Sequence, residues 1–171
     1  MANHTSGLPR LPANLGLSRV DPENPYRDYD EEKLVEYLQN EMDLPSENIG
    51  KYQYSNLGAG LLGFTMSKIS NQPYENLLEK EVFSKYEMEQ TTTDRGKVND
   101  LVKGRNKNGE VTKNWDMGSL AGAGAIISNV QDIGKFVIAH FDGKNQALTM
   151  TRKRTMPINE TLSIGMGWHL R

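Results

Sequence analysis

Tyr54-Ser55-Asn56-Leu57-Gly58-Ala59-Gly60-Leu61-Leu62-Gly63 sets a phenol and a side-chain amide on one short turn that runs into an apolar, glycine-spaced helix. Tyr54 can carry a proton for a reacting group, and Asn56 can both donate to and accept from a substrate. A phenol ordinarily titrates near pH 10, so acting as a base would require nearby cations or a lysine sharing the proton. The plainer alternative is a tyrosine packed on the turn, with Asn56 capping a helix over 57–69. Its apolar pairs Leu57/Leu61 and Leu62/Met66 fit a single stripe only in part, which predicts burial on more than one side. The same stretch satisfies Gly-x-Gly-x-x-Gly, which raises dinucleotide binding as a remote alternative. That fingerprint needs an apolar strand before it and an acid-tipped strand about 20 residues later. Here Gly50 to Ser55 is polar and Tyr74 to Phe83 reads as helix, so the glycines are assigned to close helix packing.

Upstream, residues 1–29 carry Pro9, Pro12, Pro22 and Pro25 and read as an extended, turn-rich lead-in. Asp30 caps a helix with Glu31 and Glu32 in its first turn and Leu34, Tyr37 and Leu38 at helical spacing, ending near Asp43-Leu44-Pro45. Downstream, Pro73 opens a helix at its first position, with Tyr74, Leu77, Leu78 and Val82 on one stripe. Asn108-Gly109 predicts a hairpin turn between Leu101-Val102 and Val111. Ser128-Asn129-Val130-Gln131 reads as a capping box, with Ile133, Phe136, Val137, His140 and Phe141 as the inward face of a helix stopping at Gly143. Ile164, Met166, Trp168 and Leu170 alternate as one face of a terminal strand. The inventory is mostly α, of the α+β class, with one small hairpin and a C-terminal strand.

Four ordered segments then carry a family resemblance. Asn3-His4-Thr5-Ser6-Gly7-Leu8-Pro9 is similar to the segment that follows the nucleophile-bearing helix of serine beta-lactamase-like enzymes: class C beta-lactamases, penicillin-binding DD-peptidases and related esterases. Tyr54-Ser55-Asn56 resembles their Tyr-x-Asn turn. Trp115-Asp116-Met117 through Leu120 to Ser128, with Asp132 and Phe136, resembles their glycine-rich turn and following helix, and Gly165-Met166-Gly167-Trp168 their returning strand. Together these span nearly the whole chain.

The resemblance implies the helical lobe of such a fold, with residues 1–171 a single domain and an internal fragment of a serine hydrolase. It implies acyl transfer on a small-molecule or peptide substrate with a lactam, amide or ester carbonyl, without a cofactor. It casts Tyr54 as catalytic, moving protons to and from the serine and leaving group, and Asn56 as substrate-binding. No Ser-x-x-Lys, Lys-Thr-Gly or His-x-Gly occurs in the 171 residues, so the chain alone is expected to be inactive. A noncatalytic truncated relative or a binding module is the alternative. The family suggests a periplasmic or cell-envelope setting for the parent protein.

Composition narrows the rest. Twenty basic against 22 acidic residues, net charge −2 and no basic run give no nucleic-acid footprint, and Arg152-Lys153-Arg154 reads as a solvated helix face. Without cysteine, and with His4, His140 and His169 scattered, no metal site is expected. Hydrophobic residues make up only 36%, which predicts a thin core, and no stretch is apolar enough to span a membrane. His4 is expected to make a structural hydrogen bond, and Asp116 with His169 lacks a nucleophile elbow. Gly122-Ala123-Gly124 is assigned to a tight turn beneath another element. A terminal strand without partners predicts self-association through that edge.

Overall fold

The computed structural model describes residues 1–17 and 19–171. Among the described residues, the first 29 positions form turns and the 3₁₀ turn Ala13–Leu15, yet bury Leu8, Leu15, Tyr26 and Tyr29. Helix α1, Glu31–Glu36, is capped by Asp30, whose carboxylate accepts from the Lys33 amide at 3.0 Å. It continues as a π turn, Tyr37–Glu41, and stops just before the expected end. Leu34 and Tyr37 are its buried residues.

Helix α2, Asn56–Ser70, is the centre of the fold. Its N-cap is Ser55, whose hydroxyl accepts from the Gly58 amide at 2.8 Å, and Asn56 is already the first helical residue. The cap therefore lies one residue earlier than expected, which frees the Asn56 side chain from capping. The glycines do pack. A Cβ on Gly60 would meet Leu120 Cα at 2.9 Å, and one on Gly63 would meet Gly122 Cα at 2.9 Å. This close approach seats α2 on the kinked 3₁₀ segment Gly118–Ala123. Around the contact lies a small core that includes Leu8, Tyr26, Tyr29, Leu34, Leu57 and Leu120.

Pro73 caps rather than opens α3, Tyr74–Leu78, which runs into a π turn, Glu79–Phe83. The Asn108-Gly109 turn is present, but the hairpin pairs β1, Gly104–Arg105, with β2, Val111–Thr112. Leu101-Val102 is unpaired, and Val102 is largely exposed. Helix α4, Val130–His140, is capped by Asn129, not Ser128, and ends before Phe141. Its inward stripe is Asp132, Phe136 and His140, while Phe141 is 78% exposed and Ile133 and Val137 also lie outward. The reason is Asp132. Its carboxylate takes the Gln90 amide and the Thr91 hydroxyl at 2.7 and 2.9 Å, and satisfying that buried charge sets the helix rotation.

A short helix α5, Gln146–Thr151, follows, capped by Asn145; Arg152-Lys153-Arg154 is the turn after it and not a helix face. The terminal stretch is no lone strand. It is a three-stranded antiparallel sheet of β3, Met156–Pro157, β4, Ser163–Ile164, and β5, His169–Leu170, with β4 central. Gly167 has φ +78°, and the Gly165-to-Trp168 turn it serves reverses the chain where a continuous strand was expected. Trp168 packs on His140, with ring centroids 4.7 Å apart.

Candidate active site

The Tyr54 turn is held by residues 3–10, which run alongside residues 50–57. The Thr5 carbonyl accepts the Gly50 amide, the His4 carbonyl the Gln53 amide, and the Arg10 carbonyl the amides of Asn56 and Leu57. The Ser55 hydroxyl donates to the Pro9 carbonyl at 2.6 Å, and the Ser55 amide donates to His4 Nδ1 at 3.2 Å. The two segments approach closely because Gly7, at φ +76°, has no Cβ to meet the Ile49 amide 3.1 Å away. The Asn3-to-Pro9 segment thus forms the clamp of the turn. His4 makes the structural hydrogen bond expected of it.

Ser55 is 1% exposed and its hydroxyl is engaged on both sides, so it is a structural serine. On either side of it, Tyr54 and Asn56 point to one open cleft of about 1020 Å³. Tyr54 is 43% exposed, its ring lying 4.6 Å from that of His4 and beneath the Arg10 guanidinium at 5.3 Å. Asn56 Nδ2 donates to the hydroxyl of buried Tyr26 at 3.1 Å. The opposite lining comes from Trp115 and from Gly124-Ala125-Ile126 beyond the 3₁₀ segment. Arg95 borders the cleft, in a 3.4 Å ion pair with Asp116.

Burial, then the charge of His169 and the N-terminal amine, hold the His4 imidazole below its ordinary value, favouring the neutral form that accepts from Ser55. Asp116 takes the Asn24 side chain at 2.7 Å, and His169 pairs with the Tyr52 hydroxyl at 3.1 Å. Both are occupied in separate contacts. No cluster of three or more metal-ligating side chains occurs among the described residues. Gly122 passes beneath α2, where its added Cβ would meet the Ala59 carbonyl at 2.5 Å; this is the tight-turn role, not an anion cradle.

Sequence reading missed Arg10, Tyr26 and Arg95. Arg10 directly follows the quoted Asn3-to-Pro9 segment, which was a usable signal. Tyr26 and Arg95 lie 30 and 39 residues from Asn56 with no spacing that marks them.

A protein-family model described as Beta-lactamase matches residues 1–171. A beta-lactamase of Providencia stuartii is 34% identical over 82 residues, covering 47% of this chain and 17% of that protein. Among solved structures, the beta-lactamase/D-alanine carboxypeptidase of Pseudomonas syringae matches at TM-score 0.73 and 20% identity, over 98% of this chain and 46% of that one. The class C beta lactamase of Rhodobacter sphaeroides matches at 0.74 and 17%, over 98% and 46%. The octameric penicillin-binding protein homologue of Pyrococcus abyssi matches at 0.71 and 17%, over 99% and 42%. The chain spans less than half the length of each of these proteins, and the structural likenesses establish the fold as the helical lobe.

Proposed function

This chain belongs to the beta-lactamase family, and from that premise we propose that it supplies the Tyr-x-Asn side of an acyl-transfer site. In this reading a serine outside the 171 residues attacks a lactam, amide or ester carbonyl, and water resolves the acyl-enzyme. Tyr54 carries the proton between the serine and the leaving group, and Asn56 orients the substrate amide. The observation that carries the reading is that Tyr54 and Asn56 face one cleft from either side of a buried, fully engaged Ser55. That arrangement presents one proton carrier and one amide while withholding the nearest hydroxyl. Among the described residues no helix is long and apolar enough to cross a membrane. A periplasmic or cell-envelope setting belongs to the same proposal.

The test has two arms. The chain by itself hydrolyses neither a chromogenic cephalosporin nor a short-chain ester, and stoichiometric labelling by a fluorescent penicillin would overturn this. In a protein that joins this lobe to a Ser-x-x-Lys helix, Tyr54→Phe lowers turnover by about 10²- to 10⁴-fold with the fold intact. A loss under about threefold makes Tyr54 structural.

Self-association is part of the same proposal. The terminal stretch is folded into a three-stranded sheet and presents no lone apolar strand. What supports association is that β3 and β5 each keep an outer edge, and that one fold neighbour is described as octameric. Light scattering at micromolar concentration reads it directly, a monodisperse monomer counting against it.

A further inference from the structure

His4 touches three consecutive residues of the catalytic turn. Its carbonyl accepts the Gln53 amide at 2.8 Å, its ring lies 4.6 Å from the Tyr54 ring at 39°, and its Nδ1 accepts the Ser55 amide at 3.2 Å. The residue does this from the left-handed region, at φ 56°, a conformation that non-glycine residues adopt only when the surroundings fix it. An imidazole accepts at Nδ1 only when neutral, with its proton on Nε2. Adding a second proton sets an N–H against the Ser55 N–H, and two donors cannot share that line.

We propose that His4 is a positioning residue for the Tyr54 phenol, holding it in the cleft while the imidazole is neutral and releasing the turn when it is protonated. This rests on the reading of Tyr54 as the proton carrier. The groups around His4 favour the neutral state. His169 reaches it from β5, the N-terminal amine from its own segment, and Arg10 lies over the Tyr54 ring. Tyr52 meets the His4 ring edge-on at 6.2 Å and engages His169 through its hydroxyl. Glu81 borders the same groove as His4, but its carboxylate is taken up by Lys85. No free carboxylate in these contacts rewards a cation at His4, so acidification breaks the Ser55 bond without forming a new ion pair.

The experiment is a pH titration of the full chain by ¹⁵N–¹H NMR, with His4→Asn and His169→Gln beside the wild type. The Ser55 amide is expected to shift with the same midpoint as the His4 ring, and the His4–Tyr54 ring cross-peaks to vanish below it. Asn tolerates positive φ, and its side-chain oxygen accepts an amide without titrating, so His4→Asn keeps the Ser55 shift constant across the range. In His169→Gln the coupled titration persists with a higher midpoint. A Ser55 amide that ignores the His4 titration, or cross-peaks that survive it, overturns the proposal. In a nucleophile-bearing protein, the acid limb of kcat, about tenfold per pH unit, moves or disappears in His4→Asn with KM unchanged. An unmoved limb also overturns it. Because the NMR arm reads geometry and not turnover, a silent Tyr54→Phe with an intact Ser55 titration would fail the catalytic reading alone.

Discussion

The side-chain amide of Asn56, a residue that lines the cleft, donates to the buried Tyr26 hydroxyl across 3.1 Å. Tyr26 in turn meets Trp115 at 5.5 Å, so the amide is backed by the wall of the same cleft. Tyr26→Phe removes the acceptor and keeps the ring. It should lower stability by about 0.5–1.5 kcal/mol in urea, and a cycle with Asn56→Ala should return most of that as coupling. Additive single effects would show that the bond contributes nothing.

Gly60 and Gly134 make a matched pair of opposite sign. Both are helical, and an alanine gains roughly 1 kcal/mol of intrinsic propensity at either. At Gly60 the new methyl meets Leu120 backbone and side chain inside 3.0 Å, whereas at Gly134 nothing lies within 4 Å. Gly60→Ala should therefore destabilise by about 1–3 kcal/mol, and Gly134→Ala should stabilise by about 0.5–1 kcal/mol. Thermal melts with the two shifts in the same direction would refute the packing account of α2.

Acid sensitivity should centre on His140. It is 2% exposed between Phe136 and Trp168, and neither ring nitrogen has a hydrogen-bond partner among the described residues. Burial, then the charge of Arg152, hold its pKa below the ordinary 6.5. The unfolded chain then takes the proton more readily than the folded one. The contribution is complete above pH 6.5 and is lost as pH falls through the lowered folded value. His140→Phe should flatten that part of the stability profile, leaving the similar contribution of His4. Trp168 fluorescence in a Trp115→Phe background follows it, and an unchanged slope would exclude His140.

Glu75 should act in the same direction at lower pH. Burial alone would raise its carboxyl, but hydrogen bonds from Thr92, Thr93 and Lys97 and from the Thr93 amide outweigh it and hold the pKa at about 2. The folded state binds the proton less readily, so this stability is present above pH 4.5 and is lost as pH falls towards 2. Glu75→Gln turns a donor towards that cluster and should cost about 1–3 kcal/mol at neutral pH. The gap between variant and wild type should close on acidification below pH 4.5. A constant gap would assign the effect to packing instead.

The sequence alone determined the family, the helical lobe and the Tyr-x-Asn turn, whose Tyr54 and Asn56 are among the residues lining the cleft, because each is carried by local chemistry. Asp30 capping α1, the Asn108-Gly109 turn and the glycines of α2 are read within a few residues of themselves. Tertiary structure decided what depends on partners distant in sequence. Ser55 rather than Asn56 caps α2 because Pro9 and His4 hold it from more than 45 residues away. The inward stripe of α4 follows the buried Asp132 charge, whose partners Gln90 and Thr91 no helical periodicity could reveal. The supposed lone strand became β4 and β5 through the turn at Gly167, paired with a β3 too short to leave an alternating pattern. Hydrophobic spacing reports which residues prefer to leave water; where a buried polar group must find its partner, that demand sets the rotation and the register.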